Sequence, residues 1–231
     1  RLFQIHAEVN EFVTQGGVTP LQLPLDDPLL KGAINPADGL LYLTGLNIWG
    51  TKAKGKTFLG RVRPNPKRTW TIPTHVQVEK RGIFLRFATP LDTKITSKRE
   101  SYEVRRWNYQ RTPSYGSPNY KLDGTKGTET LPVASVKLSK DKQAVFLGVP
   151  DMREVMQIEV GYKMTAADDT PIQNKTFLTA HLLRKLALDE RDFADNRVDL
   201  KVDGLIPVKK PPSKPSLEKG KAIYAQLGCV A

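Results

Sequence analysis

Alternation of apolar and polar residues with a period of two constrains the fold of this chain most strongly, and it runs from about residue 73 to 183. Successive side chains of a β-strand point to opposite faces, so apolar residues at every second position indicate a half-buried strand. Turn-forming sequences such as SKDK and AADDTP separate the alternating runs. The pattern predicts a mainly β protein whose antiparallel strands form a two-layer sandwich. Its expected interior residues are Leu85, Phe87, Val136, Leu147, Val160 and Tyr162.

One run, SYEVRRWNYQ, changes phase along its length. Tyr102 and Val104 share one face, whereas Trp107 and Tyr109 fall on the other. An extra residue in a strand shifts every later side chain to the opposite face. We therefore expect a β-bulge near Arg105.

The residues before this region also indicate β structure, in shorter pieces. NPADGLLYLTGL combines a turn sequence with a β-rich run, and FLGRVRP is a short strand that stops at a proline. RPNPKRTWTIP contains three prolines, which lack the N–H donor that a central strand needs. We expect this segment to be a connector that ends the first β region.

The sequence after Leu183 is different in character. RKLALDERDFADNRVDLKVDGL is charged and weakly periodic, which predicts a solvated segment, and IPVKKPPSKPS is typical of a linker. Ser216 then occupies a helix N-cap position. An apolar stripe at spacings of three and four follows it, consisting of Leu217, Gly220, Tyr224 and Leu227.

Composition excludes several classes of protein. The net charge of +12 includes the basic stretch TKAKGKTFLGRVRPNPKR, which we interpret as a solvated turn region. No helix-turn-helix, zinc-finger or RNA-binding signature accompanies it, so we do not expect nucleic acid as a partner. No run approaches the roughly 18 consecutive apolar residues of a membrane span, so none is expected.

The sequence offers no arrangement of residues suited to catalysis or to a metal ion. His6, His75 and His181 are the only histidines, and none has a partner at metal-ligand spacing. No phosphate-binding loop, dinucleotide-binding motif or Ser/His/Asp arrangement is present. We therefore expect no catalytic residue, no metal and no cofactor within this chain itself, and we predict that it is not an enzyme.

A cluster of aromatic residues is the strongest candidate for ligand contact. Trp107, Tyr109, Tyr115 and Tyr120 lie close in sequence, among polar residues that suit sugar stacking or a protein contact. Alternatively, Trp107 and Tyr109 pack inside the sandwich or at its junction with the preceding strands. The sequence favours the second alternative, and it leaves the first open.

The last residues, KGKAIYAQLGCVA, resemble the first helix of a class I cytochrome c domain. In that family a Gly and an aromatic residue one turn apart precede a CxxCH haem motif; Gly220 and Tyr224 match them. Cys229 matches the first cysteine of the motif, and the second Cys and the His would follow Ala231. The resemblance implies that Cys229 forms a haem thioether bond only if CxxCH is completed after Ala231.

A second resemblance spans nearly the whole chain, through the segments NPADGLLYLTGLNIWG, GKTFLGRVRP, GIFLRFATPLD, YEVRRWNYQRTPSYGSPNY and MQIEVGYKMTAADDTPI. They are similar to a region of large secreted proteins of planctomycete and verrucomicrobial type. Those proteins join a sugar-dehydrogenase-like β-propeller, a bacterial Ig-like domain and a c-type cytochrome. The implied divisions are terminal propeller strands (1–70), an Ig-like β-sandwich (71–185), a charged and Pro/Lys linker (186–215), and a truncated cytochrome helix (216–231).

Together these resemblances imply a piece of a longer periplasmic or secreted protein. The expected role is a non-catalytic module that links a propeller oxidoreductase domain to a haem c electron-transfer domain. Its partners would be those two domains of the same polypeptide, with haem c bound by the adjoining domain. The alternative is a carbohydrate-binding module that holds polysaccharide on its aromatic loop.

The cytochrome resemblance makes a direct prediction about the parent gene. We expect the two codons after Ala231 to encode Cys and His, because both thiols and the imidazole are needed to attach haem c. Sequencing the gene beyond Ala231 checks this. Any other pair of residues there would exclude the haem interpretation of Cys229.

Overall fold

The computed structural model describes residues 2–9, 13–23, 28–47 and 57–202. All of its strands belong to one compact unit, Arg1–Lys201. Part of the predicted linker, the predicted C-terminal helix and Cys229 lie outside the described residues.

Within the described residues, thirteen antiparallel strands form three sheets. The six-stranded sheet has the order β1-β2-β13-β12-β8-β9, the four-stranded sheet β10-β11-β7-β6, and the three-stranded sheet β3-β4-β5. Strands and isolated β-bridges account for 48% of the described residues, which contain one four-residue α-helix, so the predicted mainly β class is confirmed. The elements are β1 (Leu2–Val9), β2 (Thr14–Leu21), β3 (Leu29–Ile34), β4 (Leu41–Leu46), β5 (Thr57–Val62), β6 (His75–Glu79), β7 (Gly82–Arg86), α1 (Thr93–Thr96), β8 (Tyr102–Trp107), β9 (Glu129–Leu131), β10 (Ser135–Leu138), β11 (Ala144–Gly148), β12 (Val155–Thr165) and β13 (Pro171–Ala180).

The six-stranded and four-stranded sheets share one hydrophobic core. Phe87 follows β7 and meets Tyr162 of β12 edge to face, with ring centroids 5.9 Å apart. Such a contact holds two layers in a defined relative position. Five of the six predicted interior residues are buried, namely Leu85, Phe87, Leu147, Val160 and Tyr162. Val136 is half-buried against the same core, because β10 is an edge strand.

The four-stranded sheet is covered on both faces. Every residue of β11 and all but the last of β7 are buried, so the alternation seen in the sequence does not separate a core face from a solvent face here. A second apolar cluster covers the outer face; it contains Phe84, Ala144, Phe146, Leu188, Phe193 and Val198. The last three come from the charged segment after Leu183. The prediction that this segment is solvated was wrong up to Val198, because apolar residues spaced among the charges pack on the sheet.

The first two strands continue the sandwich. β2 pairs with β13, Val18 lying opposite Phe177 and Gly17 opposite Leu178, and β1 then pairs with β2 along its whole length. Backbone hydrogen bonding therefore joins the first twenty or so residues to the six-stranded sheet. The domain division at residue 70, the propeller origin of the first strands and the Ig-like classification of the sandwich stay predictions.

The predicted bulge near Arg105 is absent from β8. That strand pairs with β12 in continuous register, with Arg105 opposite Glu159 and Trp107 opposite Gln157. The apparent change of phase arises because Arg106, a charged residue, occupies the inward position after Tyr102 and Val104. The irregularity in this part of the sheet lies instead in β12, between Val155 and Ile158 where it pairs with β13.

The core assignment predicts the cost of a cavity. Leu147 lies in β11 with no exposed surface. We expect Leu147→Ala to lower the free energy of unfolding by about 2–5 kcal/mol, through lost burial and the cavity left behind. Leu59→Ala is the matched control, since Leu59 is 73% exposed and should tolerate the same truncation. A urea titration in which the two variants lose equal stability would show that Leu147 is not a core residue.

Candidate functional site

Trp107, the first residue of the predicted aromatic cluster, ends β8 and is buried. Only 7% of its surface is exposed, and its indole Nε1 has no hydrogen-bond partner among the described residues. It lies opposite Gln157 on the same face of the sheet as Glu103 and Arg105. A covered indole does not offer its faces to a sugar, so its position favours a packing role.

The three tyrosines of the cluster occupy a loop that leaves β8 and returns beside it. Backbone hydrogen bonds pair Asn108 with Tyr120 in both directions, at 2.7 and 2.9 Å, and close the base of the loop. Tyr109 is 39% exposed, while Tyr115 near the loop tip is fully exposed. No ring contact joins two members of the cluster in the described part of the chain. Ligand contact by these residues stays a prediction.

A buried arginine beside this loop was missed by the sequence analysis. Arg106 is 4% exposed and donates from Nε to Glu129 at 2.8 Å and from Nη2 to Asp151 at 2.6 Å. Arg153 donates to the other oxygen of Asp151 at 2.8 Å. Burial alone would raise the pKa of Asp151, but the hydrogen bonds from the two arginines lower it. Each of the three guanidinium nitrogens of Arg106 donates to a protein oxygen, so this side chain stabilises the loop base.

An open groove of about 1050 Å³ crosses the outer face of the six-stranded sheet. Gly161 lies at the bottom of the groove, between Glu103 of β8 and Lys175 of β13. Because glycine has no side chain, nothing projects into the groove at this position. Lys175 also donates to Glu159 at 2.7 Å. Charged walls of both signs suit a polar, extended ligand more than an apolar one. The groove could not be predicted from the sequence, because its lining comes from six separate segments of the chain.

The segment 181–200, here called the strap, covers the outer face of the four-stranded sheet. Phe193 is 2% exposed and packs against Phe84 with ring centroids 6.2 Å apart. Polar contacts secure the strap near its C-terminal end. Lys137 Nζ donates to Asp195 at 2.6 Å, and Arg81 Nη2 donates to the carbonyl of Val198 at 2.7 Å. The hydrogen bond from Lys137 lowers the pKa of Asp195, which therefore stays ionised in this pair.

A buried ion pair attaches the middle of the strap to β6. Glu79 of β6 has no exposed surface, and its Oε1 accepts a hydrogen bond from Arg191 Nη1 at 2.6 Å. The same guanidinium lies over the ring of Phe84, 4.7 Å from its centroid. Burial raises the pKa of Glu79, and the charge of Arg191 opposes that shift without cancelling it.

The ion pair continues into a network that reaches the first strand. Arg191 also donates to Gln77, which donates from its amide to Glu8 of β1 at 3.1 Å. Arg184 of the strap donates to the same carboxylate oxygen of Glu8. Burial alone would raise the pKa of Glu8, but hydrogen bonds from its neighbours, Gln15 and Arg184 first among them, lower it. The network ties β1, β6 and the strap together.

The histidines do not come together as a site. His6 is buried beside Thr19, with 3.2 Å between its Nε2 and the hydroxyl, and burial is the main cause of its lowered pKa. His75 packs its ring against Phe84, and His181 is exposed. In the described ranges no group of His, Cys, Asp and Glu side chains could hold a metal ion. The predicted haem ligand Cys229 lies outside those ranges.

Comparison with known proteins finds no family model that matches the chain, no matching curated protein and no matching solved structure. Within the described residues, no helix is long and apolar enough to cross a membrane. The function therefore has to be inferred from the residues and their contacts.

The buried position of Glu79 predicts a specific dependence of stability on pH. Because its pKa in the folded protein lies above the usual 4.5, folding favours the protonated form, and ionisation costs stability as the pH rises through that range. The free energy of unfolding of the native protein, minus that of Glu79→Gln, should therefore fall between about pH 4 and pH 7. Urea titrations across that range measure the difference. Glu154→Gln, at an exposed position, is the matched control, and a flat difference for Glu79 would contradict the assignment.

Proposed function

We propose that this chain is a non-catalytic structural module that links a propeller oxidoreductase domain to a haem c electron-transfer domain in a multidomain secreted or periplasmic protein. The parent is a sugar-dehydrogenase-like oxidoreductase on this proposal, and the haem belongs to the adjoining domain. If CxxCH is completed after Ala231, Cys229 supplies one thioether bond to that haem.

The strap is the observation that carries this proposal. A chain that leaves its last strand and enters a linker directly gives the next domain wide orientational freedom. Here the chain leaves β13 and stays attached for twenty residues, through Leu188, Phe193 and Val198 in the apolar cluster and through the Lys137–Asp195 pair. The strap therefore carries the chain to the far end of the four-stranded sheet, and the chain leaves the module from a fixed point there. A module that positions a neighbouring domain needs such a fixed point.

The other end of the module supports the same role. β1 joins the six-stranded sheet through β2, and Glu8 in β1 is hydrogen-bonded to Gln77 of β6. The same carboxylate accepts from Arg184, at the start of the strap. One partly buried network therefore couples the first strand to the strap. Cooperative attachment of both ends would hold two flanking domains at a constant separation.

A distance measurement tests the module as a spacer. Spin labels at Lys163→Cys and Lys201→Cys, with Cys229→Ser to remove the native thiol, report the position of the strap's end relative to β12. Pulsed dipolar spectroscopy should give one narrow distance distribution, because the strap is anchored. Phe193→Ala should broaden it, whereas Ala194→Gly, at the adjacent exposed position, is the control. A broad distribution in the otherwise native chain would refute a rigid spacer.

Carbohydrate binding is the second candidate, and the exposure of Tyr109 and Tyr115 favours it. Single exposed rings can stack on sugars, although one ring alone supplies little affinity. Affinity electrophoresis in gels that contain polysaccharide tests it. On the spacer proposal the chain migrates normally. Retardation that Tyr115→Ala abolishes, in a variant that remains folded, would instead establish the carbohydrate-binding function.

A further inference from the structure

The first strand has its polar residues inside and its apolar residues outside. On the outer face, 41% of Phe3 and 74% each of Ile5 and Val9 are exposed, and Ala7 between them is exposed as well. This arrangement is the reverse of the one that hydrophobic burial favours in an isolated domain. An exposed row of large apolar side chains on one strand indicates a surface that another molecule covers.

The orientation of β1 is fixed by the contacts of its inner face. Gln4 donates to the carbonyl of Pro73 at 3.0 Å, His6 pairs with Thr19, and Glu8 accepts from Gln77. A shift of one residue would break all three contacts and leave Glu8 without its partners. The apolar row therefore faces outward in the folded protein.

The apolar row continues onto the neighbouring strands. Ile5 lies opposite Val18 of β2, and Val18 lies opposite Phe177 of β13. The row ends where Glu159 and Lys175 form their ion pair on β12 and β13. The outer surface thus carries an apolar patch that is widest at β1, the edge of the sheet.

The backbone of β1 is also open to pairing. In the part of the chain that the structure describes, β1 pairs with β2 alone, so its other edge presents unpaired N–H and C=O groups over eight residues. Proteins block such edges with Lys, Pro or bulges, and β1 contains none of them. The five other edge strands of the three sheets are all shorter than β1, and three of them carry a cation: β9 has three residues and β6 has five, while β10 carries Lys137, β3 carries Lys31 and β5 carries Arg61.

We propose that two copies of this chain associate through β1, which pairs antiparallel with the β1 of the second copy about a twofold axis. With a twofold axis perpendicular to the sheet, the outer faces of the two β1 strands lie on the same side of the joined sheet. Odd-numbered residues of one β1 then lie opposite odd-numbered residues of the other. In the register centred on His6, Phe3 lies opposite Val9 and Ile5 opposite Ala7. The inner face then places Gln4 opposite Glu8, a donor against a carboxylate.

The absence of cations on β1 permits a second copy to approach at this edge. Each chain has a net charge of +12, so most surfaces of two copies repel one another. β1 has no Lys or Arg, and its ionisable residues are Glu8 and His6. Burial lowers the pKa of His6, so the two central imidazoles are neutral at pH 7. The edge therefore allows close approach without opposing like charges.

Sedimentation equilibrium of the full chain, from micromolar to millimolar concentration, tests the proposal. The native chain should show a reversible monomer–dimer equilibrium. Ile5→Lys places two lysines on the paired strands and should raise the dissociation constant by roughly tenfold or more. Leu59→Lys is the matched control, because Leu59 is 73% exposed on a different sheet and should leave the constant unchanged. If Ile5→Lys fails to fold, Val9→Lys makes the same test on the same face.

Amide hydrogen exchange distinguishes strand pairing from simple contact of apolar faces. The amides of β1 that point away from β2 should be protected in the dimer and should exchange rapidly in Ile5→Lys. A native chain that stays monomeric would refute the proposal. So would a dimer that Ile5→Lys leaves intact, one that Leu59→Lys disrupts equally, or one whose outer β1 amides exchange freely. None of these outcomes bears on the strap, so the spacer proposal is tested separately.

Discussion

The burial of both faces of the four-stranded sheet is the constraint on which the rest of the structure depends. β7 and β11 present apolar side chains in both directions, so one sheet partner cannot cover them. The six-stranded sheet takes one face, and the strap takes the other through Leu188, Phe193 and Val198. Without the strap, Phe84 and Phe146 would be exposed on a sheet surface that water disfavours. The strap is therefore part of the fold of the sandwich.

Charged groups decide where the strap lies along that surface. Apolar contacts are non-directional, so Leu188 and Phe193 alone would allow several positions on the sheet. Glu79 is fully buried and needs one partner at one place, and Arg191 supplies it while also bonding to Gln77. Leaving a buried charge unpaired costs far more than a paired one contributes, so the ion pair selects a single arrangement. The same network includes Glu8, which ties β1 to the arrangement.

These features are consistent with the proposal that the module holds neighbouring domains in fixed relative positions. Two buried charged groups have partners within the fold: Arg106 pairs with Glu129 and Asp151, and Glu79 pairs with Arg191. Buried charges that are paired in this way rigidify a structure. The outer face of the six-stranded sheet differs, because it carries both the charged groove around Gly161 and the apolar patch at Ile5. Interactions with other molecules or other copies would take place there.

Local pattern was sufficient to predict part of this structure. Alternation identified β7, β11 and β12 and placed Leu85, Leu147 and Val160 in the core, because side-chain direction in a strand follows from sequence position alone. It failed at Arg106, whose burial depends on Glu129 and Asp151 arriving from distant segments. The groove escaped prediction for the same reason.

The sequence by itself determined which segments become strands and which of their faces are apolar. Tertiary structure alone decided what covers each face. The segment after Leu183 contains as many charges as a solvated linker, yet Phe193 is buried because β7 and β11 offer it an apolar surface. Ile5 alternates as regularly as Leu85, yet it is exposed because the partners of Gln4 and Glu8 lie on the inner side of β1. Periodicity fixes the direction of a side chain relative to its own backbone, and only the packing of the sheets determines whether protein or solvent lies in that direction.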